Sequence, residues 1–97
     1  MRRNALTILQ KFFGKGNFFF TLNLQREVDG KLVFIDNYLT LLDAFEADPS
    51  LKRQYYDGEI VVQYVAEYSI GDKNIIVAVG DTREDCYKSI IKNYTLA

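Results

Sequence analysis

The pair Asp29-Gly30, set between two runs suited to extended backbone, is the local feature that most restricts how this chain can fold. From Phe18 to Val28, the apolar residues Phe18, Phe20, Leu22 and Leu24 alternate with Thr21, Asn23 and Gln25. Successive side chains of a strand point to opposite faces, so this alternation places one apolar and one polar face on a single strand. Only Phe19 interrupts it. Asp-Gly readily takes the two positive φ angles of a type I′ turn, whose twist suits a tight hairpin. Lys31 to Ile35 then returns as the second strand.

A second hairpin follows the same logic. Ile60, Val62, Tyr64, Ala66 and Tyr68 share one face of a strand from Glu59 to Ser69, opposed by Val61, Gln63, Val65, Glu67 and Ser69. A longer loop through Ile70-Gly71-Asp72-Lys73-Asn74 leads to Ile75–Val79. That last run is apolar at every position, which predicts a strand covered on both faces, placed centrally or beneath helices.

Helical periodicity fills the remaining segments. Asn4 suits the N-cap of a helix whose apolar positions are Ala5, Ile8, Leu9, Phe12 and Phe13, stopped by Gly14-Lys15-Gly16-Asn17. After the first hairpin, Asp36 or Asn37 starts a helix with Tyr38, Leu41, Leu42 and Phe45 as its stripe and Leu39 beside it. Pro49, preceded by the capping residue Asp48, starts a further short helix that closes at Asp57-Gly58. Asp81 and Glu84 have capping-box spacing before a last helix that turns Cys86, Ile90, Ile91 and Tyr94 inward. The predicted order is therefore α-β-β-α-(α)-β-β-α. It describes an α+β fold in which two β-hairpins form a four-stranded antiparallel sheet with helices packed on it. A length of 97 residues predicts a single domain over 1–97, with 1–16 a short basic N-terminal helix and turn able to serve as an interface element.

Composition narrows the chemistry. The chain has no His and one cysteine, Cys86. It therefore lacks the commonest acid/base and metal-ligating side chain at neutral pH, and it cannot form an internal disulfide. Serine–histidine and cysteine–histidine nucleophiles are excluded, as are zinc sites that need His or several Cys. No cofactor and no metal is expected, and no enzymatic activity. No apolar run reaches the roughly 18 residues that a spanning helix needs, so no membrane partner is expected, and the free thiol suits a cytoplasmic protein. Such a size fits an accessory protein of a phage or bacterium.

The local clusters have simple structural explanations. Gly14-Lys15-Gly16 lacks the spacing of a phosphate-binding loop and precedes a strand, so it reads as a turn. Asp81, Glu84 and Asp85 match the field at a helix N-terminus, and Asp43, Glu46 and Asp48 form a solvated face. Cys86 falls on an apolar helix face, where it reads as a packing residue.

What one helical layer does not account for is a set of apolar strand residues on opposite faces: Phe19, Val33, Ile35, Val61, Val65 and Ile76. So many apolar side chains predict a covered surface, and these six are the candidate protein interface. The expected function is a non-enzymatic, self-associating protein-interaction module that binds or inhibits a partner protein. The alternative is a small nucleic-acid-binding protein. Its contacts would be Arg2, Arg3, Lys11 and Lys15 with Lys52, Arg53, Tyr55 and Tyr56, where bases stack on rings and phosphates meet cations. Residues 1–16 carry +4 with no acid, whereas the rest of the chain carries −5, which works against phosphate contacts elsewhere.

The stretch Gly80-Asp81-Thr82-Arg83-Glu84-Asp85 resembles the strand-to-helix turn of small antitoxin domains of the HicB type. The resemblance is confined to this turn and its helix cap. The preceding strands lack that family's glycine- and proline-rich stretch, so it implies no toxin-binding or DNA-binding role here.

Overall fold

A computed structural model describes residues 1–95. In chain order the elements are α1 (Arg2–Phe13), β1 (Asn17–Val28), β2 (Lys31–Tyr38), α2 (Leu41–Ala47), α3 (Pro49–Tyr56), β3 (Ile60–Ile70), β4 (Lys73–Gly80) and α4 (Arg83–Tyr94). The strands form one four-stranded antiparallel sheet built from two hairpins, as expected, and its strand order is β2-β1-β3-β4. Asp29 and Gly30 both take positive φ, 53° and 78°, the requirement of the expected type I′ turn.

Four local expectations are corrected. The second hairpin turns on Gly71-Asp72 alone, because Gly71 adopts φ 61° and Ile70 can pair directly with Lys73. Strand β2 continues to Tyr38, since Asn37 and Tyr38 pair with Asn23 and Leu22; the next helix starts at Leu41, capped by the Thr40 hydroxyl. Thr82, rather than Asp81, caps α4 by accepting from the Asp85 amide at 3.0 Å. A β-branched hydroxyl one residue further on displaced the expected acid. Helix α1 begins at Arg2, with Met1 at its N-cap position, so Asn4 lies within its first turn. The expected cap at Asp48 is present, its carboxylate accepting from the Ser50 amide ahead of Pro49.

β4 is also corrected: it is an outer strand, and its apolar run is covered on one side only. Val77 and Ala78 are buried, while Ile76 and Val79 are exposed. Near-continuous apolarity usually marks a strand buried on both faces, but here it supplies a core on one side and a hydrophobic surface on the other.

The chain packs as two compact units, Met1–Phe20 with Tyr64–Ala97, and Thr21–Gln63. In the first, Ala5 and Leu9 of α1 and Cys86 and Ile90 of α4 close over Phe18, Ala66, Tyr68, Val77 and Ala78. Aromatic rings border this core: Phe12 and Phe13 meet Tyr94, and Phe18 and Phe20 meet Tyr87. In the second, Leu22, Leu24, Ala44, Leu51 and Ile60 are buried, and Phe45 packs near Tyr55 and Tyr56. The apolar phases read from Phe18–Leu24 and Ile60–Tyr68 are thus the inward ones.

Each hairpin carries one β-bulge. In β2, Asp36 faces Leu24 but Phe34 faces Gln25, leaving Ile35 as the extra residue. In β4, Ala78 faces Ala66 but Ile76 faces Glu67, making Val77 the extra residue. An inserted residue reverses the face on which the following side chains fall.

Candidate protein-interaction surface

The bulges redistribute the six residues read as an interface. In the second unit, Arg26 donates to the side chain of Gln54 in α3, so Arg26 lies on the helix-bearing side of β1. Val33 faces Arg26 across the ladder and therefore shares that side. Phe34, facing Gln25, takes the opposite side instead, and it is 57% exposed. Ile35 sits at the bulge itself and is half-buried. Val61 is exposed on the face opposite buried Ile60.

The face turned from the helices in this unit carries a chain of amide hydrogen bonds. Asn37 Nδ2 donates to Asn23 Oδ1 at 2.8 Å and lies 3.0 Å from Thr21 Oγ1; Asn23 Nδ2 donates to Gln63 Oε1 at 3.3 Å. These side chains bond to one another across the strands, making a polar platform beside exposed Phe34 and Val61. Leu32, Val33 and Phe34 form three successive exposed apolar residues on β2, an outer strand of the sheet. The alternation of Asn23 with Leu22 and Leu24 announced the polar face. The exposure of Leu32 and Phe34 was hidden because the bulge and the strand order are not local properties.

In the first unit, Phe19 is half-buried and Val65 is only 2% exposed, covered within the chain itself. Ile76 is 62% exposed, facing Glu67, and Val79 is exposed facing Val65. The surface residues of β4 are thus Ile76 and Val79, while Val65, paired with Val79 across the ladder, is covered.

The positions of the nucleic-acid alternative fall in both units. Arg2, Arg3, Lys11 and Lys15 are exposed on and just after α1, and the Arg2 guanidinium lies 5.1 Å from the centre of the Phe18 ring. Lys52 and Arg53 are exposed on α3, where Arg53 pairs with Asp57 at 3.6 Å. Tyr56 is exposed and Tyr55 half-buried, their rings 5.3 Å apart. Each ring therefore has a neighbouring ring on the protein. Arg83, which sequence reasoning passed over, lies 5.7 Å from the Phe20 ring centre and 5.5 Å from that of Tyr64, a cation–π arrangement beside the first core.

Cys86 is buried, its Sγ 3.6 Å from the carbonyl oxygen of Tyr64. Burial and, secondarily, the charge of Asp85 push its thiol above the ordinary value, the reverse of what an activated nucleophile needs. Among the described residues, no group of three or more His, Cys, Asp or Glu gathers where a metal could be held. Two concavities lie along α1 and the C-terminal half of α4. One of about 190 Å³ is lined by Ile8, Lys11, Tyr94 and Thr95, and one of about 370 Å³ by Arg3, Asn4, Thr7, Ile8 and Ile91. Neither lining includes a carboxylate or a thiol. No described helix is long and apolar enough to cross a membrane.

No protein-family model, no curated protein and no solved structure matches this chain.

Proposed function

We propose that this protein is a non-enzymatic interaction module that works by strand addition at the edges of its sheet, both with a second copy of itself and with an extended segment of a partner protein. The carrying observation is the run Leu32-Val33-Phe34 on outer strand β2, with exposures of 55%, 48% and 57%. An outer strand presents a row of backbone donors and acceptors, and folded proteins commonly blunt such edges with charge, Pro or a β-bulge. Between Lys31 and Asp36 this strand has no charge and no Pro, and its bulge at Ile35 lies beyond the run Leu32-Val33-Phe34. An added strand would satisfy the backbone row and cover apolar side chains on both faces at once, which is the chemistry of β-strand capture.

The test is affinity capture from the native host, followed by hydrogen exchange with the recovered partner added back to pure protein. Protection of the amides over 31–38, with loss of capture in a folded Leu32→Lys/Phe34→Lys variant, is the expected result. Capture that survives the double substitution, or protection confined to other elements, would overturn the reading.

A further inference from the structure

We infer that β4 is the strand through which two copies of this chain join, antiparallel and edge to edge, an inference that rests on the self-association proposed above. From Asn74 to Gly80 the strand carries no charge and no Pro, so nothing in its side chains blunts the outer edge. Helix α4 covers one side of it, leaving Ile76 and Val79 exposed on the other.

The bulge at Val77 decides how such a strand can pair with itself. Ile76 and Val79 are three positions apart, which in a regular strand would put them on opposite faces. The extra residue brings both onto the face turned from α4, since they face Glu67 and Val65, while Ile75 and Gly80 face Tyr68 and Tyr64 on the helix side. Two copies related by a two-fold axis can therefore set Ile76 against Val79 of the second copy. The same register sets Ile75 against Gly80 of the second copy and keeps like faces together throughout.

Charge selects a second copy as the occupant and fixes the direction. Lys73 opens the strand, and Asp81 follows its last residue, with Glu84 and Asp85 in the first turn of α4. Antiparallel self-pairing carries Lys73 of each copy to the acidic end of the other, twice per dimer. A parallel arrangement would set Lys73 beside its own copy. Complementary ends of this kind govern register and partner choice more than they govern affinity.

The experiment is sedimentation velocity across a concentration series, with circular dichroism confirming that each variant is folded. The wild type should dimerise, and Ile76→Lys/Val79→Lys should be monomeric throughout. Lys73→Glu and Asp81→Lys should each weaken the dimer by about tenfold, and the combined K73E/D81K chain should recover to within about threefold of wild type, as coupled charges across one interface require. A dimer that persists in Ile76→Lys/Val79→Lys, or a combined charge swap that is no better than either single change, overturns β4 as the joint while leaving self-association standing. A monomeric wild type overturns both. Partner capture at β2 is judged by its own experiment and is unaffected by either outcome.

Discussion

The phenolic hydroxyl of Tyr68 donates to the carbonyl oxygen of Gly14 at 2.6 Å, joining the C-terminal end of β3 to the end of α1. Carbonyls at a helix C-terminus lack intrahelical partners, and a phenol with no solvent exposure must find an acceptor. One bond therefore satisfies both groups. The ring itself packs 6.0 Å from that of Phe13, so Tyr68→Phe keeps the volume and deletes only the donor. We expect a loss of about 1–2 kcal/mol in urea unfolding, the usual cost of breaking a buried hydrogen bond. Stability equal to wild type would show that the bond contributes nothing.

Gly16 is a glycine for lack of space. A Cβ there would run into the backbone oxygen of Ser69 and lie 2.9 Å from Cε2 of Tyr68. Backbone and a fully buried ring cannot swing aside as the end of a long side chain can. Gly16→Ala should therefore destabilise the fold by about 1–3 kcal/mol through overpacking, read as a lower denaturation midpoint at unchanged slope. A midpoint at or above that of wild type would contradict this close approach.

Cys86 predicts an alkaline limit to stability. Burial, then the charge of Asp85, raises the folded thiol above its ordinary 9.0. A group that holds its proton more tightly when folded stabilises the fold fully below its unfolded value, and that contribution is lost as pH rises through the folded value. Stability should therefore decline on the alkaline side of 9.0, and Cys86→Ala should decline less steeply over the same range. Tyr38 is also raised, by burial and then by Asp36, so part of the slope should remain in the variant. Identical alkaline slopes for the two proteins would exclude the thiol as a source.

The sites were less legible in the sequence than the fold, for reasons visible at single residues. Val65 reads as surface from its alternation with Tyr64 and Ala66, yet it is covered within the chain, so a charged substitution there would probe the core rather than an interface. Val33 and Phe34 exchange faces because Ile35 is inserted between the register at Leu24 and that at Gln25. A bulge leaves no signature in composition, since it depends on how one strand is paired with another. Cys86, by contrast, is buried where its helical position puts it, because its neighbours Ile90 and Tyr94 are set by the same local period.

By itself, the sequence determined what depends on near neighbours along the chain. It specified the positive φ angles at Asp29-Gly30, the inward phase of Phe18–Leu24 and Ile60–Tyr68, the cap at Asp48 and the order of helices and strands. These follow from steric limits on φ and from fixed side-chain periods, which act within a few residues. Only the tertiary structure decided that β2 and β4 are the outer strands, where the two bulges fall, and which apolar residues remain uncovered. Those features depend on which distant segments compete to bury the same surface, and that competition is resolved only when the whole chain packs.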